Sequence, residues 1–285
     1  MRRSAIAAVV AVIVVGIAAA AVALVHETSG DDGATPAFTL PEGVTTLHPP
    51  PVTTTERIHP TSDPIPVLMY HVIADPPAGA PYPELYVSGE DFGRQVAWLE
   101  SHGYHAVTLR DASLHWRFGR TLPTRPIVIT FDDGYHSQFA TAAPILRSRG
   151  WAGVLNLEVR NTTRSWGVSE KQVRLLIRDG WELAAHTLTH PDLTKLSAAE
   201  LEHEVNGSRE ALRATFDVPV DFFCYPAGRL DQTVVNMVRS SGYLGATTTE
   251  PGLATPHDMF RLNRVRVDRS DGVAGLAAKL KALGA

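Results

Sequence analysis

Two adjacent carboxylates, Asp132 and Asp133, follow the β-branched and apolar run of residues 127–131 and precede Gly134. Such a run predicts a strand buried on both faces, as in a parallel sheet. Functional groups collect at the carboxyl ends of parallel strands. Because neighbouring side chains at a strand end point in different directions, one aspartate can bind a metal ion while the other faces a water molecule. A plain Asp-Asp-Gly turn is the alternative, so the interpretation depends on the rest of the chain.

Two histidines spaced four residues apart, His186 and His190, follow another predicted strand. Two imidazoles at this spacing can bind one ion if the chain between them makes a single turn. Pro191 disfavours a helix that continues through His190, so we expect a turn. Asp133 and both histidines would then lie on one face and leave open positions on a divalent ion, as in a catalytic site, with Asp132 available as a base. Two unrelated surface histidines are the alternative, since the chain has 12.

Two further strand ends carry candidate groups. Tyr225, Pro226, Ala227 and Gly228 predict a tight turn whose free amides could face a developing oxyanion, although a purely structural loop explains the same residues. His71 ends the first predicted strand. Because this position lies on the same face as the carboxylates, His71 is a candidate general acid.

The elements that would position these residues alternate between strand and helix from residue 64 onward. Strands are predicted at 67–71, 106–108, 127–131, 152–158, 182–186, 221–225, 244–247 and 264–267. Helices are predicted from residue 88 to 103 and over 139–149, 169–179, 197–215 and 231–241. Four of these helices are predicted to end at a glycine that precedes an aromatic residue, at Gly103, Gly150, Gly180 and Gly242.

This alternation predicts parallel strands joined by right-handed crossovers. Seven or eight strands over some 220 residues suit a closed or nearly closed (β/α) barrel, and an open doubly wound sheet is the alternative. No Gly-x-Gly-x-x-Gly sequence follows the first strand, which argues against a dinucleotide site. The proline-rich residues 75–83 predict a loop over the mouth of the fold.

The composition is that of an ordinary globular protein: 285 residues, 44% hydrophobic and 20% charged, with a net charge of -4. The chain has no excess of basic residues that would indicate nucleic acid as a partner. Cys224 is the only cysteine, which excludes an intramolecular disulfide and a cysteine-based zinc cluster.

The amino-terminal residues 1–25 indicate export. Arg2 and Arg3 precede an apolar, charge-free run over 5–25, which is long enough to span a bilayer, since about 20 residues suffice. We expect a transmembrane anchor, with a cleaved signal peptide as the alternative because Ala21-Val22-Ala23 offers a cleavage pattern. The remainder would lie outside the cytoplasm, attached to the cell membrane or secreted. Residues 26–63 predict a disordered, Thr- and Pro-rich linker, and residues 64–285 a globular domain.

Three motifs together resemble those of the polysaccharide deacetylase family, also called carbohydrate esterase family four. They are Thr-Phe-Asp-Asp-Gly at 130–134, His-Thr-Leu-Thr-His at 186–190 and Tyr-Pro-Ala-Gly at 225–228. The resemblance extends from residue 64 to about 268. It implies that residues 64–285 form a distorted (β/α) barrel that removes N-acetyl groups from N-acetylglucosamine units of an extracellular or cell-wall polysaccharide. It also implies that Asp132 is the base and that Asp133, His186 and His190 bind a divalent metal ion, for which Zn²⁺ is expected.

The chain departs from the family pattern in two places. After Leu262 there is no Leu-x-His motif, which supplies the acid in many members. The early residues 68–71 instead resemble a subgroup with permuted motifs that includes exported poly-N-acetylglucosamine deacetylases, and this assigns the acid to His71. Cys224 stands where an arginine that orients the base is common, and Ala227 where an aromatic is common. Arg264 is a candidate substitute, but we favour a solvated charge at the end of a strand.

The resemblance leaves the substrate open. Peptidoglycan, a β-linked poly-N-acetylglucosamine and chitin fragments all fit it. An O-acetyl ester deacetylase, acting for example on acetylated xylan, keeps the chemistry but changes the substrate. A non-catalytic cell-surface protein that binds glycans on the same barrel is the alternative from a different class.

Overall fold

The structure, a computed structural model, describes residues 60–285. Within this range the strands, all parallel, are β1 (Val67–Tyr70), β2 (His105–Val107), β3 (Pro126–Asp133), β4 (Val154–Leu157), β5 (Glu182–Ala185), β6 (Phe222–Cys224), β7 (Gly245–Pro251) and β8 (Leu262–Arg266). The helices are α1 (Gly89–Ser101), α2 (Leu109–Phe118), α3 (Ala143–Arg147), α4 (Glu170–Arg178), α5 (Ala198–Phe216), α6 (Gln232–Ser240) and α7 (Gly272–Ala282).

Seven of these strands close into a barrel. Their order is β1-β8-β7-β6-β5-β4-β3, and the pairing of β1 with β3 completes the ring. β2 pairs only with the first residues of β3 and lies outside the ring. The predicted (β/α) barrel is therefore confirmed, and the open doubly wound sheet is wrong because both edges of such a sheet would be unpaired.

Strand residues alternate between the barrel interior and the layer of helices around it. On β3, Ile127, Ile129 and Phe131 pack in the outer core, whereas Val128 belongs to an inner core that includes residues of six ring strands. Because side chains on one face recur every two residues, the positions after Val128 that face inward are Thr130 and Asp132. The inner apolar layer thus lies beneath a polar layer, whose buried members are Thr130, Asp132, Asn156, Cys224, Thr247 and Arg264.

Helix α2, which the sequence analysis did not predict, closes the amino-terminal end of the barrel. The Thr108 side chain accepts a hydrogen bond from the Asp111 amide and the Asp111 side chain accepts one from the Thr108 amide, which begins the helix. Gly119, in the left-handed region, ends it. The fully buried Trp116 packs in the inner core, and its Nε1 donates to the Asp63 carbonyl at 2.8 Å.

The four glycines predicted to end helices do so, with φ values of 68° to 90°. Helix α7 was not predicted. The helix predicted over 139–149 is in fact a π-helical turn, Gln138–Ala142, that continues into α3.

The predicted anchor, residues 1–25, and nearly all of the predicted linker, 26–63, lie outside the described residues. Over 60–285, no helix combines the length and the apolar character needed to cross a bilayer.

Candidate active site

The two carboxylates are the last residues of β3 and point in different directions, as predicted. Asp132 faces the barrel interior, and its side chain is 3% exposed. Asp133 adopts a left-handed φ of 73°, which turns its side chain toward the mouth, where it is 14% exposed. Gly134 follows with a φ of 87°, and a Cβ there would lie 2.4 Å from Leu157 Cδ1, so this turn requires glycine.

The two histidines converge on Asp133. Its Oδ1 lies 3.4 Å from His186 Nε2 and 3.6 Å from His190 Nε2, and one ligand atom of each residue lies within 4.8 Å of the others. The chain turns directly after β5, as predicted. Thr187 and His190 both have left-handed φ values, 67° and 59°, and the Thr187 hydroxyl accepts a hydrogen bond from the His190 amide at 2.8 Å. Strained backbone of this kind is typical of functional sites.

This donor set fits a divalent cation such as Zn²⁺. His186 Nδ1 lies 2.7 Å from the Cys224 carbonyl oxygen. Because a carbonyl only accepts, Nδ1 carries the hydrogen, and in the neutral ring the lone pair of Nε2 faces Asp133. Ligand atoms about 2.0–2.2 Å from a tetrahedral zinc are about 3.4 Å apart. The distances from Asp133 to the imidazoles are close to this value.

The position of Arg264 contradicts our expectation of a solvated charge, because its side chain is completely buried inside the barrel. Its Nη1 and Nη2 donate to the two carboxylate oxygens of Asp132, each at 2.8 Å. Nη1 also donates to Thr130 Oγ1 and Nε to the Thr248 carbonyl. The expectation was wrong because β8 begins at Leu262 rather than at Arg264, and the two-residue period then turns Arg264 inward.

The guanidinium of Arg264 lies beside Cys224, the position at which the family resemblance implies an arginine. Cys224 Sγ lies 3.3 Å from Arg264 Nη2 and 3.7 Å from Asp132 Oδ2, so the small thiol leaves room for a guanidinium from β8. Asn156 Nδ2 adds a hydrogen bond to Asp132 Oδ1 at 2.7 Å. Burial alone would raise the pKa of Asp132, but the Arg264 charge and hydrogen bonds outweigh burial and hold that pKa well below its usual range.

His71 follows β1 and lies beside the buried carboxylate. Its Nε2 is 3.8 Å from Asp132 Oδ2, and its side chain is 14% exposed. Burial lowers the pKa of His71, while the negative charges of Asp132 and Asp133 raise it by less. The negative charges of these two carboxylates therefore stabilise the protonated form of His71 against the effect of burial.

The four residues of the Tyr-Pro-Ala-Gly motif differ in what they offer a ligand. The Tyr225 amide donates to the Thr247 carbonyl, the Gly228 amide donates to the Tyr225 carbonyl, and Pro226 has no N–H. Tyr225 and Ala227 line the cavity. In the hydrogen bonds found over residues 60–285, the Ala227 amide is the one N–H of this motif without a partner.

The carboxylates, the imidazoles and Ala227 line one cavity of about 570 Å³ at the carboxyl end of the barrel. Two aromatic side chains at its mouth are largely exposed, Tyr82 at 68% and Trp166 at 47%. They belong to the loops after β1 and β4, the strands that flank β3 in the ring. The proline-rich loop predicted over the mouth therefore contributes to it through Tyr82.

Comparison with known proteins gives the family. A family model described as polysaccharide deacetylase matches residues 119–246, which contain the Asp pair, the His pair and the Tyr-Pro-Ala-Gly motif. Residues 119–246 therefore form a polysaccharide deacetylase domain. The domain identifies an enzyme of the polysaccharide deacetylase type.

Individual relatives agree with this assignment. YxkH of Bacillus subtilis, a candidate polysaccharide deacetylase, is 28% identical over 214 residues, which cover 75% of this chain and 74% of that protein. The poly-beta-1,6-N-acetyl-D-glucosamine N-deacetylase of Escherichia coli K12 is 24% identical over 229 residues. The match covers 65% of this chain but only 34% of that longer protein. The crystal structure of BC0361, a polysaccharide deacetylase from Bacillus cereus, superposes with a TM-score of 0.69 at 28% identity, covering 77% of this chain and 69% of that one.

Some residues that hold this deacetylase site together gave no signal in the sequence analysis. Glu204, on α5, accepts hydrogen bonds from the amides of Leu188 and Thr189 and from the Thr189 hydroxyl, and so fixes the turn that carries His190. Asn161 Nδ2 donates to the Asp133 carbonyl at 2.9 Å. Both act across distances in sequence that no local motif spans.

Proposed function

We propose that this polysaccharide deacetylase is a metal-dependent hydrolase that removes N-acetyl groups from N-acetylglucosamine units of an extracellular or cell-wall polysaccharide. The convergence of Asp133, His186 and His190 beside the separately held Asp132, in one cavity, is the observation that carries the proposal. The name of the Escherichia coli relative, an N-deacetylase, supports an amide rather than an ester as the bond that is cleaved.

Asp133, His186 and His190 would hold the metal ion, for which we propose Zn²⁺. When bound, such an ion polarises the acetyl carbonyl and makes a water molecule more acidic. Arg264 occupies both oxygens of Asp132 and so keeps this carboxylate ionised and in place. A carboxylate fixed in this way can act as the base without also serving as a ligand.

Each protein group then has one task in the hydrolysis. Asp132 accepts the proton of the attacking water. The Ala227 amide donates a hydrogen bond to the oxyanion that develops on the acetyl oxygen. His71 gives a proton to the departing amine, so that the C–N bond breaks and acetate and a free glucosamine unit leave. Tyr225, Pro226 and Gly228 shape the turn that presents the Ala227 amide.

The Cys224 departure was the reason for considering a non-catalytic glycan-binding protein. Arg264 supplies a guanidinium from another strand and donates two hydrogen bonds of 2.8 Å to the proposed base. The absence of an arginine at position 224 is therefore no longer an argument for a non-catalytic protein, and the match to the polysaccharide deacetylase family model favours an enzyme.

Acetate release tests the proposal. The purified full chain is incubated with peptidoglycan, β-linked poly-N-acetylglucosamine, chitin fragments and acetylated xylan. We expect acetate from at least one of the N-acetylated polymers, loss of release after treatment with a chelator, and recovery when Zn²⁺ is added. Release from acetylated xylan alone would show an ester substrate instead, and no release from any polymer by the metal-loaded chain would refute the proposal.

Two variants separate the proposed roles. Asp132→Asn is expected to retain metal and lose most turnover, so a wild-type rate would show that the base is assigned wrongly. His190→Ala is expected to lower metal content in elemental analysis, whereas the exposed His105→Ala serves as a control that keeps it. Equal metal content in His190→Ala and His105→Ala would contradict the ligand assignment.

For cellular location, we propose that the enzyme acts outside the cytoplasm, anchored by residues 1–25 or secreted after their cleavage. The support is the basic and apolar pattern of these residues. Immunodetection of the full chain in membrane, cytoplasmic and culture-medium fractions tests this, and an exclusively cytoplasmic signal would contradict it.

A further inference from the structure

Gln138 is a fully buried side chain next to the two residues proposed to move protons. Its Nε2 donates to the carbonyl oxygen of His71 at 2.8 Å and to that of Asp132 at 2.6 Å. One amide group therefore links the main chain of the proposed acid to that of the proposed base.

This link begins where the backbone ladder between the two strands ends. The last registered pair of β1 and β3 is Tyr70 with Phe131. The next residues along the two strands are His71 and Asp132, and they are not paired in this ladder. At this point the two N–H groups of the Gln138 side-chain amide replace the backbone hydrogen bonds between the strands, with one bond to the β1 side and one to the β3 side.

The segment that carries Gln138 is itself unusual. It opens the π-helical turn Gln138–Ala142, and such turns are frequent at functional sites. The preceding residue makes a second connection to the β1 side, since Ser137 Oγ accepts a hydrogen bond from the Ile73 amide at 3.0 Å.

The glutamine makes two hydrogen bonds here but leaves one buried acceptor unpaired. Gln138 Oε1 is buried and has no hydrogen-bond partner among residues 60–285, which disfavours folding. An apolar side chain of similar size would avoid this unpaired acceptor. What it would lack is the pair of N–H groups that reach His71 and Asp132.

The acid depends on this link more than the base does. Arg264 and Asn156 hold the carboxylate of Asp132 independently. No hydrogen bond over residues 60–285 fixes the imidazole of His71, whose Nε2 lies 3.8 Å from Asp132 Oδ2. The ring of His71 is therefore located through its backbone, and Gln138 fixes that backbone.

We propose that Gln138 is a positioning residue that sets the place of His71 relative to Asp132 and hence the transfer of a proton to the departing amine. The proposal rests on the function proposed above. Displacements of about 1 Å in catalytic groups can lower a rate by about 100-fold.

Gln138→Met tests this, with Gln95→Met as the matched control. Gln95 is also a fully buried glutamine with two hydrogen bonds, from the Tyr70 hydroxyl at 2.9 Å and to the Gly272 carbonyl at 2.8 Å, but it makes no hydrogen bond with His71 or Asp132. Both variants lose two buried hydrogen bonds. Only one of them loses the link between acid and base.

The assay compares two substrates for the metal-loaded full chain. An N-acetylglucosamine oligomer has an amine leaving group that must be protonated, whereas an aryl acetate has a leaving group that departs without a proton. For Gln138→Met we expect kcat on the oligomer to fall about 10- to 100-fold with little change in KM, kcat on the aryl acetate to fall less than threefold, and metal content to equal that of the wild type. For Gln95→Met we expect losses below threefold on both substrates.

Equal losses on the two substrates, or equal behaviour of the two variants, would overturn the proposal for Gln138 while leaving the enzymatic function in place. A wild-type chain that releases no acetate from either substrate would overturn both. If Gln138→Met does not fold, Gln138→Asn, which keeps the amide but is one methylene shorter, is compared with Gln95→Asn in the same way. The same excess loss on the oligomer is expected there, and its absence would be equally decisive.

Discussion

The buried pair of Asp132 and Arg264 gives a prediction of strong energetic coupling. Both side chains lie inside the barrel, at 0% exposure for Arg264 and 3% for Asp132, and they share two hydrogen bonds of 2.8 Å. Arg264→Met removes both donors and leaves the carboxylate with Asn156 as its remaining close donor. Asp132→Asn leaves a buried guanidinium without a counter-charge.

The magnitude follows from these contacts. Two charge-assisted hydrogen bonds contribute about 1.5–3 kcal/mol each, and breaking a buried pair by removal of one partner costs about 3–5 kcal/mol. We therefore expect each of Arg264→Met and Asp132→Asn to lower the free energy of unfolding by about 3–5 kcal/mol. The double variant buries no unpaired charge, so its loss should be no larger than that of either single variant. The coupling energy is then about 3 kcal/mol or more.

Urea unfolding of the full chain at pH 7 measures these four free energies. A chelator is present throughout, so that differences in metal content do not contribute. The exposed pair of Arg94 and Glu90, at 2.7 Å on the surface of α1, is the control. The cycle of Arg94→Met and Glu90→Gln should give a coupling below about 0.5 kcal/mol. Additive losses for Arg264→Met and Asp132→Asn would refute the reasoning, because they would mean that each charge is stabilised without the other.

Two more predictions concern the rim of the site. Glu204→Gln places an NH₂ group against the N–H donors of the turn that carries His190. Release of bound Zn²⁺ to a colorimetric chelator should therefore be about tenfold faster than in the control variant Glu202→Gln, which changes an exposed residue. Equal rates in the two variants would contradict a supporting role for Glu204. Trp166→Ala removes a large exposed ring from the mouth of the cavity, so KM for an N-acetylglucosamine oligomer should rise severalfold with little change in kcat. The control Phe118→Ala, on α2 at the opposite end of the barrel, should change neither constant. An unchanged KM in Trp166→Ala would exclude contact between this ring and the substrate.

The fold could be predicted from the sequence wherever one element carries its own signal. The run over 127–131 and the glycines that end four helices are local features, and the structure has them where they were predicted. Helix α2 also carried a local signal in Thr108 and Asp111, but Thr108 was assigned to the end of a strand. Helix α7 is rich in alanine and glycine and has only a weak apolar stripe, so its periodicity was not visible. That β2 lies outside the ring depends on how the barrel closes, which no local pattern encodes.

The candidate site divides along the same line. Asp132 and Asp133 end β3, and His186 directly follows β5 with His190 in the same turn. Parallel strands bring their carboxyl ends together, so the convergence of these residues was predictable. Arg264 reaches Asp132 across 132 residues of sequence, and its inward direction depends on where β8 begins. β8 begins two residues before the predicted start, so Arg264 lies within the strand on its inward face instead of at an exposed end. The convergence of strand ends does not depend on such a shift.

The arginine that contacts Asp132 comes from β8, at Arg264, and not from the β6 position that Cys224 occupies. A closed barrel allows this because side chains from different strands meet in its interior. A metal ligand must project from a particular strand end, because the ion needs several donor atoms at fixed short distances. A counter-charge for a buried base needs only to point into the interior at the level of that base along the barrel axis. The inward positions of all seven ring strands border this interior. Cys224 on β6 and Arg264 on β8 meet there, 3.3 Å apart, beside the carboxylate that either position could serve. The place of the arginine in the sequence is therefore a weaker criterion for an active deacetylase than the Asp and His set, since the interior can receive the same guanidinium from another strand.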